Sequence, residues 1–218
     1  AGFWGPCWIE FLPSVYAREL RISPELPDMI HVSGQVINAT DKEKAVELKA
    51  VVSPWKGDDA YKKRIKGPGA TTEKSLPGMT LKPGANALNF SMKIKEPVCW
   101  DTFNPFLYSL KLFNGKERIA WERFGLREFR VEGRYFYLNG KRVFLMGLTH
   151  ESSNNIASIL SNKEEFNRNG ALRRFLELAR GANVNTLNRV ERIPSSIWLD
   201  ICDELGICVW QDFMFACM

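Results

Sequence analysis

Residues 196–212, SIWLDICDELGICVWQD, decide the fold of this chain. Apolar residues at helical spacing predict an amphipathic helix over the first half of the stretch: Ile197, Ile201, Cys202 and Leu205. Gly206 is a typical helix stop, and the apolar run 207–210 predicts a strand buried on both faces, with Asp212 at its far end. A buried strand directly after a helix is typical of a parallel α/β structure.

The same alternation extends upstream. Residues 171–183, ALRRFLELARGAN, predict a helix that stops near Gly181, and the short strand VNTLNRV follows it. Residues 135–147, YFYLNGKRVFLMG, contain two strand-like runs joined at Asn139-Gly140, a strong hairpin signal because both turn positions need positive φ. We therefore expect a hairpin and then strand, helix, strand, helix and strand, with right-handed crossovers.

Residues 16–127 have the period of strands instead. The segments HVSGQVINAT, AVELKAVVS, ANALNFSMKI and FLYSLKLFNG alternate apolar and polar residues, and turn-forming residues separate them. About seven short antiparallel strands without helical period indicate a two-sheet sandwich of immunoglobulin-like kind.

Polar residues follow the three predicted parallel strands. The first strand ends in Thr149, His150 and Glu151, the second in Arg189 and Glu191, and the third in Asp212. Ligands of parallel α/β structures bind at the carboxyl ends of the strands, so these residues are candidates for a site. The carboxylate of Asp212, in an apolar stretch, favours a site role, whereas His150 fits a hydrogen-bonded loop residue equally well.

Composition excludes several classes of protein. The chain has 218 residues, 45% of them hydrophobic, and a net charge of +5. Its densest basic run, YKKRIKGPG at 61–69, lies between predicted strands, and we interpret it as a solvated hairpin tip and not as a nucleic-acid site. No apolar run reaches a membrane-spanning length, and the five cysteines lack the spacing of a zinc site or a disulfide framework. We expect no metal and no cofactor, and the compartment stays open.

Several quoted segments resemble one enzyme family. FYLNGKRV, FLMGLTHE, ANVNTLNRVE and WLDICDELGICVWQDFMFAC are similar in order and spacing to glycoside hydrolase family 2, and the last is most similar to β-mannosidases. The resemblance implies three regions: the last strand of a sugar-binding jelly roll (1–15), an immunoglobulin-like sandwich (16–127), and the first three strands of a (β/α)₈ TIM barrel (128–218).

The resemblance also implies a function. The parent protein would be a retaining exo-glycosidase that removes terminal β-linked sugars, with β-mannosides as the first expectation. Members of the family carry their acid/base and nucleophile on two glutamates of later barrel strands, and no position of this sequence matches those motifs. The chain is therefore expected to be an inactive fragment without catalytic residues, which associates with the rest of the barrel or with itself.

The resemblance assigns substrate-binding roles to four residues. Asp212 and Arg189 would hold sugar hydroxyls and His150 would line the floor of the subsite, while Glu191 would vary with specificity. β-Mannosidases have Arg-Val-Trp where this chain has Arg189-Val190-Glu191, and an acidic residue there is similar to exo-β-glucosaminidases. The ending LTHE is closer to the family's galactosidases and glucuronidases than to its mannosidases. Exo-β-glucosaminidase or β-galactosidase-like specificity is therefore an alternative to β-mannosidase specificity. A different alternative is that the chain is a non-catalytic scaffold module in a larger assembly.

Overall fold

A computed structural model describes residues 9–151, 170–190 and 196–212; for His150, Glu151, Ala171, Arg189 and Val190 it describes the backbone alone. Nine strands occupy the first region of the described chain. They are β1 (Val15–Glu25), β2 (Met29–Asn38), β3 (Lys44–Val46), β4 (Leu48–Pro54), β5 (Thr72–Ser75), β6 (Met79–Leu81), β7 (Gly84–Lys93), β8 (Leu107–Asn114) and β9 (Glu117–Gly125).

Seven of these strands form two antiparallel sheets. The first has the order β1-β2-β7 and the second β5-β4-β8-β9, while β3 and β6 pair separately. Apolar residues of both sheets meet in one core, because alternate residues of each strand point to the same side. The predicted two-sheet arrangement is confirmed, and so is the inward face of β7, on which Leu88 and Met92 are buried.

The basic run 61–69 lies in the connection between β4 and β5, which pair antiparallel, and its lysines are exposed, in agreement with the hairpin-tip interpretation. The sequence did not indicate the one-turn helix α1 (Asp59–Lys62), which overlaps the start of the run. Asp58 caps this helix by accepting a hydrogen bond from the backbone N–H of Tyr61 at 2.7 Å. The helical turn is explained by Tyr61, whose side chain is only 1% exposed. The turn places this ring in the interior while the adjacent lysines stay in solvent.

A small antiparallel sheet follows the sandwich. It has the order β10 (Phe129–Glu132), β11 (Tyr135–Leu138) and β12 (Lys141–Val143). The turn between β11 and β12 has φ of 52° at Asn139 and 73° at Gly140, which confirms the predicted hairpin.

The last region alternates strands and helices. Its elements are β13 (Gly147–Glu151), α2 (Ala171–Gly181), β14 (Thr186–Val190), α3 (Ser196–Leu205) and β15 (Cys208–Gln211). The three strands are parallel, with β14 in the centre. Helices α2 and α3 pack against one side of this sheet through a common apolar cluster: Leu176, Leu187, Ile201, Cys202, Leu205 and Ile207. The predicted order of elements is confirmed, and in the described residues the three strands form an open sheet.

Part of the parallel sheet is not covered by described residues. Four large apolar side chains near it are exposed: Phe144 (77%), Met146 (40%), Leu148 (38%) and Trp210 (52%). Val209 of β15 packs against the helical cluster, and Phe213 lies outside the described residues.

Candidate functional site

The carboxyl ends of the three parallel strands lie side by side. In the strand register, His150 is the partner of Arg189, and Arg189 is the partner of Gln211. Asp212 follows Gln211 directly, so the backbone brings three of the four predicted site positions to one edge of the sheet. Glu191 lies outside the described residues. A shared edge of this kind is where parallel α/β proteins bind ligands.

Asp212 is half-buried at the end of β15. Its backbone carbonyl accepts a hydrogen bond from the side-chain amide of Gln211 at 2.6 Å. The carboxylate can therefore accept hydrogen bonds from hydroxyl groups while its backbone is held at the end of the strand.

Our sequence reasoning missed Asn188, on the central strand β14. Its side-chain oxygen, Oδ1, is buried and has no hydrogen-bond partner among the described residues. Asn185 provides a contrast, since its amide bonds the backbone of both Met146 and Phe144 at 2.8 Å. A buried carbonyl oxygen without a donor costs free energy, so a hydroxyl group that reached Asn188 would gain by donating to it.

Strand alternation gives the signal that identifies Asn188. Leu187 is fully buried against the helices, so the next residue lies on the opposite face of the sheet. Asn188 is the register partner of Thr149 and of Trp210. The indole of Trp210 is 52% exposed, and its ring contacts Phe136 edge-on with 6.5 Å between centroids. Hydrogen-bonding groups beside an exposed aromatic ring suit a polar ligand that also has an apolar face.

A cavity of about 500 Å³ lies elsewhere, between the sandwich and helix α3. Its lining includes Trp55, Trp121, Arg123, Asp200 and Glu204. Arg123 forms ion pairs with Asp200 and Glu204 beside this cavity, and the described lining includes none of the strand-end residues.

Two further observations concern the described residues. Within 9–151, 170–190 and 196–212, no three His, Cys, Asp or Glu side chains are grouped as metal ligands. Over the same part of the chain, no helix has the length and apolar character needed to cross a membrane.

Comparison with curated proteins gives relatives that are glycosidases by name. A Formosa agariphila protein that bears a beta-glucuronidase name is 30% identical over 219 residues, which cover 94% of this chain and 23% of that relative. A beta-galactosidase of Staphylococcus xylosus is 25% identical over 129 residues (59% and 12%). The beta-mannosidase of Bos taurus is 35% identical over 86 residues (38% and 9%). The chain thus spans less than a quarter of the length of each, and no family model matches it.

Comparison with solved structures also gives proteins that bear glycosidase names. A beta-glucuronidase of Parabacteroides merdae matches with a TM-score of 0.65 and 27% identity, over 94% of this chain and 24% of that one. A glycosyl hydrolase family 2 member from Bacteroides cellulosilyticus matches with a TM-score of 0.70 over 93% of this chain and 27% of that one. At 21% identity, the second likeness concerns the fold alone.

Proposed function

We propose that this chain is a section of a family 2 glycoside hydrolase, whose parent protein removes a terminal β-linked sugar from a carbohydrate with retention of configuration. The observation that carries the proposal is the likeness to a solved beta-glucuronidase over 94% of the chain. It is supported by the three parallel strands whose carboxyl ends bring His150, Arg189 and Asp212 to one edge of the sheet. The named relatives act on different sugars, but all are β-glycosidases by name.

The proposal extends to the architecture. Strands β13, β14 and β15 are parallel and are linked by helices on one side, as consecutive strands of a (β/α)₈ barrel are. We therefore take residues 128–218 as the first part of a TIM barrel, 16–127 as an immunoglobulin-like sandwich, and 1–15 as the end of a jelly roll. In this proposal the two catalytic glutamates lie outside the chain.

The strand-end residues would bind the sugar. Asp212 and Arg189 hold hydroxyl groups, His150 lines the subsite, and Glu191 tunes specificity. Asn188 joins this set, because a substrate hydroxyl would supply the donor that its Oδ1 lacks. Such bonds accelerate the reaction to the extent that they strengthen as the ring distorts toward the oxocarbenium-like transition state.

β-Mannosides are our first candidate substrates, and β-glucuronides are the second. The beta-mannosidase of Bos taurus has the higher local identity, 35% over 86 residues. The relative with a beta-glucuronidase name matches far more of the chain, 94% against 38%. A uronate carries a carboxylate that mannose lacks, and if Glu191 contacts the sugar its negative charge would oppose that anion, which favours the neutral mannoside over the uronide.

The test uses the parent protein and a panel of aryl β-mannoside, β-glucuronide, β-galactoside and β-glucosaminide. We expect hydrolysis of at least one, with NMR showing the β-anomer as first product. Replacement Asp212→Ala should lower kcat/KM by about 100-fold, or about 2.7 kcal/mol of transition-state binding. Asp41→Ala, at an exposed carboxylate of the sandwich, is the matched control and should leave kcat/KM unchanged.

Two outcomes would contradict the proposal. A parent protein that hydrolyses none of the four substrates would favour the scaffold alternative, in which the chain is an interaction module. An Asp212→Ala variant with unchanged kinetics would remove the strand-end site from the reaction. The 218-residue chain by itself should be inactive in the same assays, because the proposed binding groups include no acid and nucleophile pair.

A further inference from the structure

One carboxylate joins the sandwich to both helices of the α/β region. Arg123 of strand β9 is only 9% exposed, and its guanidinium donates to Oδ1 of Asp200 and to Oε1 of Glu204, both at 2.7 Å. Glu204 of helix α3, 10% exposed, also accepts a hydrogen bond from Arg173 of helix α2. The side chain of Arg123 is itself fixed, because its guanidinium stacks on the ring of Trp55 at 4.6 Å.

The last turn of α3 is held at a neighbouring position as well. The indole N–H of Trp100, in the loop before β8, donates to the backbone carbonyl of Asp203 at 2.7 Å. Arg127 contacts the carboxylate of Asp203 at 3.5 Å and lies over the indole of Trp100 at 4.7 Å. Two successive residues of α3, Asp203 and Glu204, are thus bonded to side chains that come from the sandwich and its end.

The chain then enters strand β15 without a free linker. Gly206 has φ of 73°, and a Cβ added there would lie 2.6 Å from the carbonyl oxygen of Thr102. The backbone N–H of Ile207 donates a hydrogen bond to the backbone carbonyl of Cys202 at 2.9 Å, and the backbone N–H of Cys208 donates to the backbone carbonyl of Asn185 at 2.8 Å. An extended strand advances about 3.3 Å per residue and has no slack, so displacement of α3 must displace β15 and the position of Asp212.

We propose that Arg123 is a positioning residue for the strand-end site, which acts through Glu204, helix α3 and strand β15. The inference rests on the proposed function for its activity readout. Buried charge pairs add little net stability, but loss of one partner leaves an uncompensated charge inside. Without Arg123, Glu204 would keep its bond to Arg173 of α2, and both ion pairs of Arg123 with α3 would be lost, which leaves the contacts at Asp203 to hold the helix. The sandwich is thereby part of the catalytic apparatus and not a spacer.

The activity test is a double-mutant cycle in the parent protein with its best aryl β-glycoside. Arg123→Gln should lower kcat/KM at least about tenfold, mainly through kcat, because small misplacements of a positioning group are costly in the transition state. In the Asp212→Ala background the same replacement should change kcat/KM by less than about twofold, since its effect passes through Asp212. Arg118→Gln, at an exposed arginine of the same strand, is the control and should change neither value.

A second readout does not depend on activity. Amide hydrogen exchange of residues 208–211 should be at least about tenfold faster in Arg123→Gln and unchanged in Arg118→Gln. If Arg123→Gln does not fold, Arg123→Lys replaces it, since lysine keeps the charge but cannot reproduce the forked contact, and it should give the same effects at reduced size.

The inference would be overturned if the losses of kcat/KM caused by Arg123→Gln and Asp212→Ala were additive. It would also be overturned if amide hydrogen exchange of residues 208–211 were unchanged in Arg123→Gln. A wild-type parent without glycosidase activity would instead overturn the proposed function, and the exchange experiment would still decide whether Arg123 holds β15.

Discussion

At the scale of single residues, Tyr61 shows how one hydroxyl can support a core. Its oxygen accepts a hydrogen bond from the backbone N–H of Leu107 at 2.8 Å and donates to the carbonyl of Pro105 at 3.2 Å. Burial raises the pKa of Tyr61 to about 12, so the hydroxyl stays protonated at any physiological pH.

Tyr61→Phe should therefore lower the free energy of unfolding by about 1–3 kcal/mol, because the buried N–H of Leu107 loses its acceptor. Urea denaturation measures the change. The control is Tyr135→Phe, whose side chain is 38% exposed and should alter stability by less than about 0.5 kcal/mol. Equal stabilities of the two variants would contradict this role of the hydroxyl.

The carboxylate of Asp203 makes stability depend on pH. Desolvation raises the pKa of Asp203 above its ordinary value, although Arg127 and Arg123 oppose the shift. A raised pKa in the folded state means that the stabilising contribution is present when the group is protonated and is lost as pH rises through that pKa. Asp203→Asn should thus gain stability relative to wild type as pH rises above about 4, the ordinary pKa of an aspartate. The free energy of unfolding of both proteins, measured by urea denaturation at a series of pH values from about 4 upward, tests this. A difference that is flat across this range would show that Arg127 cancels the effect of burial.

At the scale of elements, the turn between α3 and β15 is the most constrained. Gly206→Ala meets two penalties: positive φ, which costs a non-glycine residue about 1–2 kcal/mol, and contact with the backbone of Thr102. Gly115→Ala is the matched control, since Gly115 has φ of 59° and open space around its Cα. We expect Gly206→Ala to lower the unfolding free energy by at least about 1 kcal/mol more than Gly115→Ala. Equal losses would mean that the close approach to Thr102 contributes nothing.

Elements were predictable from sequence where one physical signal dominated. The apolar period of α3, the stop at Gly206 and the positive φ values at Asn139-Gly140 are local properties, and the structure has them where the pattern indicates. Helix α1 was missed because a run of charges concealed one buried ring, Tyr61.

The candidate site was less predictable. Charged residues at strand ends were easy to recognise, but Asn188 becomes a candidate only when its face of the sheet and its unpaired oxygen are known. The contact between Arg123 and Glu204 joins positions 81 residues apart, and no periodicity within either segment indicates that they meet. The roles of Asp212, Arg189, Glu191 and His150 stay predictions.

At the scale of the whole molecule, we expect the apolar side chains beside the parallel sheet that the described residues leave exposed to affect behaviour in solution. Exposed side chains of this kind beside a sheet edge favour association. The isolated 218-residue chain should therefore show concentration-dependent self-association in sedimentation velocity. The double replacement Leu148→Ser and Trp210→Ser should weaken association, whereas Phe11→Ser, at a residue 93% exposed outside the sheets, should not. A chain that stays monomeric at all concentrations would contradict this.

The bond between Arg123 and Glu204 also bears on recombination between relatives. A crossover placed between the sandwich and the parallel sheet would divide the pair between two parents. In a chimaera whose sandwich lacks an arginine at this position, the buried carboxylate of Glu204 would lose one of its two arginine partners and keep Arg173. An exchange of either region should therefore carry the residues on both sides of this contact.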